Sequence, residues 1–151
     1  MKTITSVLLA TALAALLPTA LAQPVLLNEV LINPPGNTVP NEYLEIAGPP
    51  SASLDGYVLL AINGNPGFAG RAELVLNLNG TQLGSNGILV VKVARTNGYP
   101  VPAETTVIAD PRFIDTAISP LNNSSLSLLL VQCATLPTEG TDYDADDNSV
   151  F

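Results

Sequence analysis

From Val25 onward the apolar residues come in short runs cut apart by clusters of Pro, Gly and Asn, and within several runs apolar and polar positions alternate. Runs of about four to eight such residues bounded by turn formers predict strands, because a period of two assigns alternate side chains to opposite faces of an extended chain. Val25 to Ile32 is the first, and Pro34-Pro35-Gly36 behind it forbids a helix. Glu42 to Ile46 is the second, with Glu42, Leu44 and Ile46 on one face and Tyr43 and Glu45 on the other. Tyr57 to Ile62 is a third, mostly apolar strand, opened by Asp55-Gly56 and closed by Asn63-Gly64-Asn65-Pro66-Gly67, residues that tolerate positive φ or preset a turn. Glu73 to Leu78 runs into Asn79-Gly80, the strongest short-range hairpin signal, and Asn86-Gly87 launches Ile88 to Ala94.

In that fifth run Leu89, Val91 and Val93 share one face while Ile88, Val90 and Lys92 share the other, the pattern of a largely buried central strand that reaches solvent at Lys92. Thr105 to Ala109 and Leu126 to Val131 bring the strands to seven, with a loop of about fifteen residues between them, longer than most connections. Turn signals recur about every ten residues, as in all-β sandwiches. A βαβ chain would need helical patterns between its strands. The expected fold is therefore an all-β sandwich of about seven strands.

The amino terminus has a different character. Lys2, an apolar run from Val7 to Leu17, Pro18, and Ala20-Leu21-Ala22 ahead of Gln23 make a secretory signal with an A-x-A cleavage site. The run is interrupted by proline and falls well short of the ~20 apolar residues that cross a bilayer core, and no later segment is long enough either. The expected divisions are a signal peptide over 1–22, a sandwich over 23–136 and an acidic Asp-rich segment over 137–151, and the expected location is secreted, or extracellular. Removing 22 of 151 residues leaves 129, a single-domain length. Ser149-Val150-Phe151 opens another apolar run, which reads as a strand cut short at the chain end.

Charge narrows the partners. All 13 acidic side chains fall after the signal, where only Arg71, Lys92, Arg95 and Arg112 oppose them. Nucleic-acid affinity comes chiefly from Lys and Arg displacing counterions, so direct nucleic-acid binding is not expected. An acidic surface suits solubility and divalent cations. Cys133 is the one cysteine, so stability has to come from packing, with Cys133 read as a small buried hydrophobe at the end of the last apolar run.

At Leu27-Asn28-Glu29-Val30, Asn33-Pro34-Pro35-Gly36, Asn41-Glu42-Tyr43-Leu44-Glu45-Ile46 and Leu54-Asp55-Gly56-Tyr57-Val58-Leu59-Leu60 the order and spacing resemble the lamin-tail-like domain family, an immunoglobulin-like sandwich. Leu83-Gly84-Ser85-Asn86-Gly87-Ile88-Leu89-Val90-Val91 and Gly140-Thr141-Asp142-Tyr143-Asp144 are similar to its secreted microbial members, and the likeness extends over residues 25 to 147. Departures are Tyr57 where the family often has tryptophan, and Ala47-Gly48-Pro49-Pro50 in place of an N-x-G turn. The resemblance implies an accessory or interaction module, not a catalytic unit, sometimes attached to extracellular nucleases or phosphatases. It also implies one more strand beyond the Asp-rich stretch.

The chain has no histidine, which removes the usual general base, the serine and cysteine triads and histidine-ligated metals together. A glycosidase pair needs two carboxylates facing one cleft, whereas Glu42 and Glu45 alternate across their strand. Asp115-Thr116-Ala117 is faintly similar to the D-[TS]-G loop of aspartic proteases, but Ala117 replaces the glycine, and an Asx or ST turn accounts for it. No catalytic residue is expected.

Asp142, Asp144 and Asp146 are the candidate metal ligands, because alternate carboxylates around a tight turn supply the hard oxygens that Ca²⁺ takes. Asp147 stands where a calcium loop has its glycine, and a solvated acidic tail is the plainer reading. Asn79-Gly80-Thr81, Asn122-Asn123-Ser124 and Asn123-Ser124-Ser125 fit the glycosylation acceptor, though asparagine is common in turns. The expected function is a secreted, non-catalytic binding or structural module for an extracellular protein or matrix component, with Ca²⁺ as a candidate stabiliser. The alternatives are the N-terminal accessory module of a secreted nuclease or phosphoesterase, and a self-associating protein using an unpaired sheet edge.

Overall fold

The structure is a computed structural model and describes residues 23–32, 42–93, 99–114, 121 and 125–146. The expected signal, the Pro34-Pro35-Gly36 break, Arg95, Asp115, the acceptors at Asn122 and Asn123, Asp147 and the closing apolar run lie outside these residues. All seven expected strands lie within them: β1 Leu26–Leu31, β2 Tyr43–Ala47, β3 Tyr57–Asn63, β4 Ala72–Asn77, β5 Ile88–Lys92, β6 Thr106–Ala109 and β7 Leu126–Gln132. They form an all-β sandwich of two sheets, one ordered β1-β2-β5-β6 and the other β4-β3-β7.

The two sheets bury the faces that the alternation assigns. Leu44 and Ile46 of β2, with Leu89 and Val91 of β5 and Val93 beyond it, meet Leu59 and Ala61 of β3 and Leu74 of β4 in one core. Val25, Leu27, Ile108, Leu126, Leu128 and Leu130 pack against its margins. β3 is apolar in nearly every position because both of its faces are covered: Val58, Leu60 and Ile62 form a second, smaller cluster with Ala72 on the other side of the sheet. Val75, Val131 and Cys133 pack against that cluster, which leaves the cysteine half-buried on an apolar surface.

The long connection before β7 contains a 3-10 turn, Pro111–Ile114, that strand patterning does not reveal. It drives Phe113 into the main core, where the ring is fully buried. Asp110 sets the turn, accepting from the Arg112 N–H at 2.9 Å while its own carbonyl accepts from Phe113 N–H at 3.2 Å. The Arg112 guanidinium then bridges Asp110 and Glu139, at 2.5 Å and 2.7 Å. Burial by itself would raise the Asp110 carboxyl, but the hydrogen bonds and charge of Arg112 outweigh it and hold the group below the ordinary carboxylate value.

The other consequential feature is pairing direction. β1 pairs with β2 and β2 with β5 antiparallel, whereas β5 and β6 are parallel, with Leu89, Val90, Val91 and Lys92 opposite Thr106, Val107, Ile108 and Ala109. Parallel neighbours cannot be joined by a tight hairpin, so the chain has to travel back along the sheet before β6 begins. That return places Tyr99 to Thr105 beside the outward face of β2 and β5, with consequences for the site.

Candidate functional site

On the outer face of the four-stranded sheet the period of two sets Tyr43 and Glu45 on β2 beside Ile88, Val90 and Lys92 on β5. The returning segment closes over them and leaves a groove of about 340 Å³. Ile88 and Val90 form its apolar floor, and Val90 is buried although it points away from the main core. Tyr43, Tyr99, Pro100, Val101 and Pro102 form the walls, while Glu45, Lys92, Asn86 and Thr105 supply polar atoms. This volume lies at the lower end of the usual range for ligand sites.

Four interactions fix the shape of the groove. The Lys92 ammonium donates to the Tyr99 carbonyl at 3.0 Å, and Asn86 Nδ2 donates to Thr105 Oγ1 at 2.7 Å, tying both ends of the returning segment to the sheet. The Tyr43 and Tyr99 rings meet edge to face, with centroids 5.4 Å apart and planes at 71°. The Tyr43 hydroxyl donates to Glu29 Oε1 on β1 at 2.7 Å. That bond, with burial and the repulsion of Glu29 and Glu45, pushes the phenol up to about 12.

The acidic side of the groove is unusual in its pairing. Glu29 and Glu45 are direct cross-strand partners, a juxtaposition of like charges that costs stability. Each is satisfied by a neutral donor: Tyr43 Oη for Glu29, and Asn28 Nδ2 for Glu45 at 2.6 Å. Among the described residues neither forms an ion pair.

Glu42 and Glu45 do fall on different sides, Glu42 buried with the inward set and Glu45 in the groove. Tyr43 and Glu45 were legible as sharing a face, but their use with Tyr99 was not. A long connection carrying Tyr99-Pro100-Val101-Pro102 between two strands was the available signal.

The Asp-rich segment lies elsewhere, docked along the edge of β4. Ala72 N–H donates to the Thr141 carbonyl at 2.9 Å and the Ala72 carbonyl accepts from Gly140 N–H at 2.8 Å. Tyr143 N–H reaches the Gly70 carbonyl at 3.0 Å, the backbone at Asp142 forms an isolated antiparallel β-bridge with that at Arg71, and Glu139 Oε2 accepts from Val75 N–H at 3.3 Å. The three residues named as calcium ligands, Asp142, Asp144 and Asp146, sit in this docked segment. Asp142 Oδ1 accepts from Asp144 N–H at 2.9 Å, Asp144 is buried against the edge, and Asp142 and Asp146 are exposed. Among the described residues, no group of three or more acidic, cysteine or histidine side chains is arranged to hold a metal ion.

Asn79, the glycosylation acceptor that is described, belongs to a clamp between two turns. Its Oδ1 accepts from Gly56 N–H at 2.6 Å, and Asp55 Oδ1 accepts from Gly80 N–H at 2.7 Å in return. Among the described residues no helix is long and apolar enough to cross a membrane. Compared with protein-family models, with curated proteins and with solved structures, the chain matches none.

Proposed function

We infer that this protein is a secreted, non-catalytic β-sandwich module that binds an extracellular partner through the outer face of its four-stranded sheet. The observation that carries the reading is the groove itself. Two tyrosines and two prolines wall an apolar floor, and Glu45 is the one carboxylate among the described residues that line it. An apolar cleft with a few convergent polar groups is suited to recognition. Carboxylate-only hydrolysis asks for a second acid across the cleft, and the chain has no histidine to take that part. The lamin-tail-like resemblance supports the same reading, since it implies an interaction module with an immunoglobulin-like sandwich.

Two measurements test it. The full chain expressed in a secreting host should appear in the medium with Gln23 as its amino terminus, as determined by terminal sequencing. The recovered protein should show no turnover of phosphodiester, phosphomonoester, glycoside or peptide substrates. Turnover that disappears on changing a single carboxylate, Glu42→Gln or Glu45→Gln, would overturn the non-catalytic reading.

A further inference from the structure

The groove is built with one sign of charge to spare. Glu45 lines it, Glu29 stands opposite Glu45 on the neighbouring strand, and both are held by neutral donors, so two carboxylates are kept side by side next to aromatic rings. Lys92 is the cation among the lining residues that are described, and it is engaged with the Tyr99 carbonyl. It lies across from Tyr43, whereas Glu45 lies across from Val90, two residues further along the strand and so about 7 Å away in backbone terms. Glu45 and Lys92 are thus diagonal neighbours across the two strands, with the Lys92 ammonium drawn to the Tyr99 carbonyl and the apolar floor running from Val90 to Ile88, away from Lys92.

An incoming group that suits this arrangement has a cationic head and an apolar stem. The head would gain from carboxylates and from tyrosine rings, whose faces attract cations. The stem would cover Ile88 and Val90, which water covers poorly. Arginine and lysine side chains have this construction. The net charge of −8 on the whole chain favours encounter with a basic macromolecule over an acidic or neutral one.

We propose that the groove binds an arginine or lysine side chain presented by an extended basic polypeptide, with its stem on Val90 and its cationic head at Glu45 beside Tyr43 and Tyr99. This rests on the binding-module reading above and names the partner class for that same site. The Pro100-Val101-Pro102 wall packs the residues flanking the anchor, so a polypeptide is held better than the isolated side chain. The Glu29 and Glu45 repulsion is relieved when the cation arrives.

The test is an NMR titration of the protein with a capped pentapeptide, Gly-Val-Arg-Val-Gly, and with the same peptide carrying citrulline, the neutral isostere of arginine. The arginine peptide should saturate shifts at Tyr43, Glu45, Val90 and Tyr99, weaken with salt, and bind about tenfold more tightly than the citrulline peptide. Glu45→Gln and Tyr99→Ala should each weaken it by about tenfold while their circular dichroism stays unchanged, and Asp55→Asn, which removes a charge outside the groove, should not. Equal affinity for the two peptides, or shifts that ignore these variants, would overturn the proposal. N-acetyl-argininamide binding as tightly as the pentapeptide would overturn the polypeptide occupant in favour of a small cation. Failure of the peptide without any turnover removes the partner class and leaves the binding module standing, whereas carboxylate-dependent turnover removes the module reading itself.

Discussion

Glu29 and Glu45 face each other directly across β1 and β2, so the sheet carries two carboxylates at one cross-strand position. Like charges placed this way cost about 0.2–1 kcal/mol, and Asn28 and Tyr43 offset that only with neutral hydrogen bonds. Glu45→Gln keeps an acceptor for Asn28 and removes the repulsion. We expect it to stabilise the fold by a few tenths to about 1 kcal/mol in a urea titration, with the gain shrinking as salt screens the pair.

Tyr43 reports the same electrostatics. Its phenol is pushed up to about 12, first by its hydrogen bond to Glu29, then by burial and by the charges of Glu29 and Glu45. The folded state therefore prefers the protonated ring. Its contribution to stability is whole below the ordinary value of 10 and is lost as pH rises from there through 12. An ultraviolet titration should show one tyrosine ionising late, and Glu29→Gln should bring that ionisation back toward 10.

Gly70 holds the docked acidic segment against β4. Its φ is +83°, and a Cβ there would lie 2.6 Å from Asp142 Oδ1 and 2.6 Å from Asp144 Cβ. Gly70→Ala should cost about 1–2 kcal/mol for the left-handed backbone alone and displace the segment besides. Ending the chain after Pro137 would remove the hydrogen-bond partners of Gly70, Ala72 and Val75 while leaving the Gly70 residue itself unchanged. We expect the exposed strand edge to self-associate, visible as concentration-dependent sedimentation.

Phe113 enters the core from the 3-10 turn of the long connection, outside any strand. Phe113→Ala should cost about 3–5 kcal/mol, the range for removing a buried ring, because the strands around it are fixed by their own ladders and collapse only partly into the void. Equilibrium unfolding in urea measures it. A loss under about 1 kcal/mol would mean that the turn does not anchor the long connection.

Acid should weaken the Asp110–Arg112 contact. The Asp110 carboxyl is held below the ordinary value of 3.8, so its contribution is present above that pH and is lost as pH falls through the lower native value. Arg112→Ala should cost about 1.5–3 kcal/mol at neutral pH, the usual worth of hydrogen bonds to a charged group, and much less once the pH has fallen through the lowered native value of Asp110. The difference in urea midpoint between the native protein and the variant, followed with pH, checks the sign.

The amino-acid sequence by itself determined the strands and which side of each is buried, because alternation and turn residues act locally. Leu44, Ile46, Leu89, Val91 and Val93 lie inward as their spacing requires, and the unbroken apolar run of β3 marks a strand covered on both faces. It also placed Tyr43 and Glu45 together on the outward side. Which strands become neighbours is a non-local matter, settled by how two sheets can be closed with the available connections. Only the tertiary structure made β5 and β6 parallel, and that pairing brought Tyr99 to Thr105 over the sheet to complete the groove. It likewise turned the Asp-rich stretch into a cover for β4: composition records the charge, but an edge that needs hydrogen-bond partners exists only once the sheet has formed.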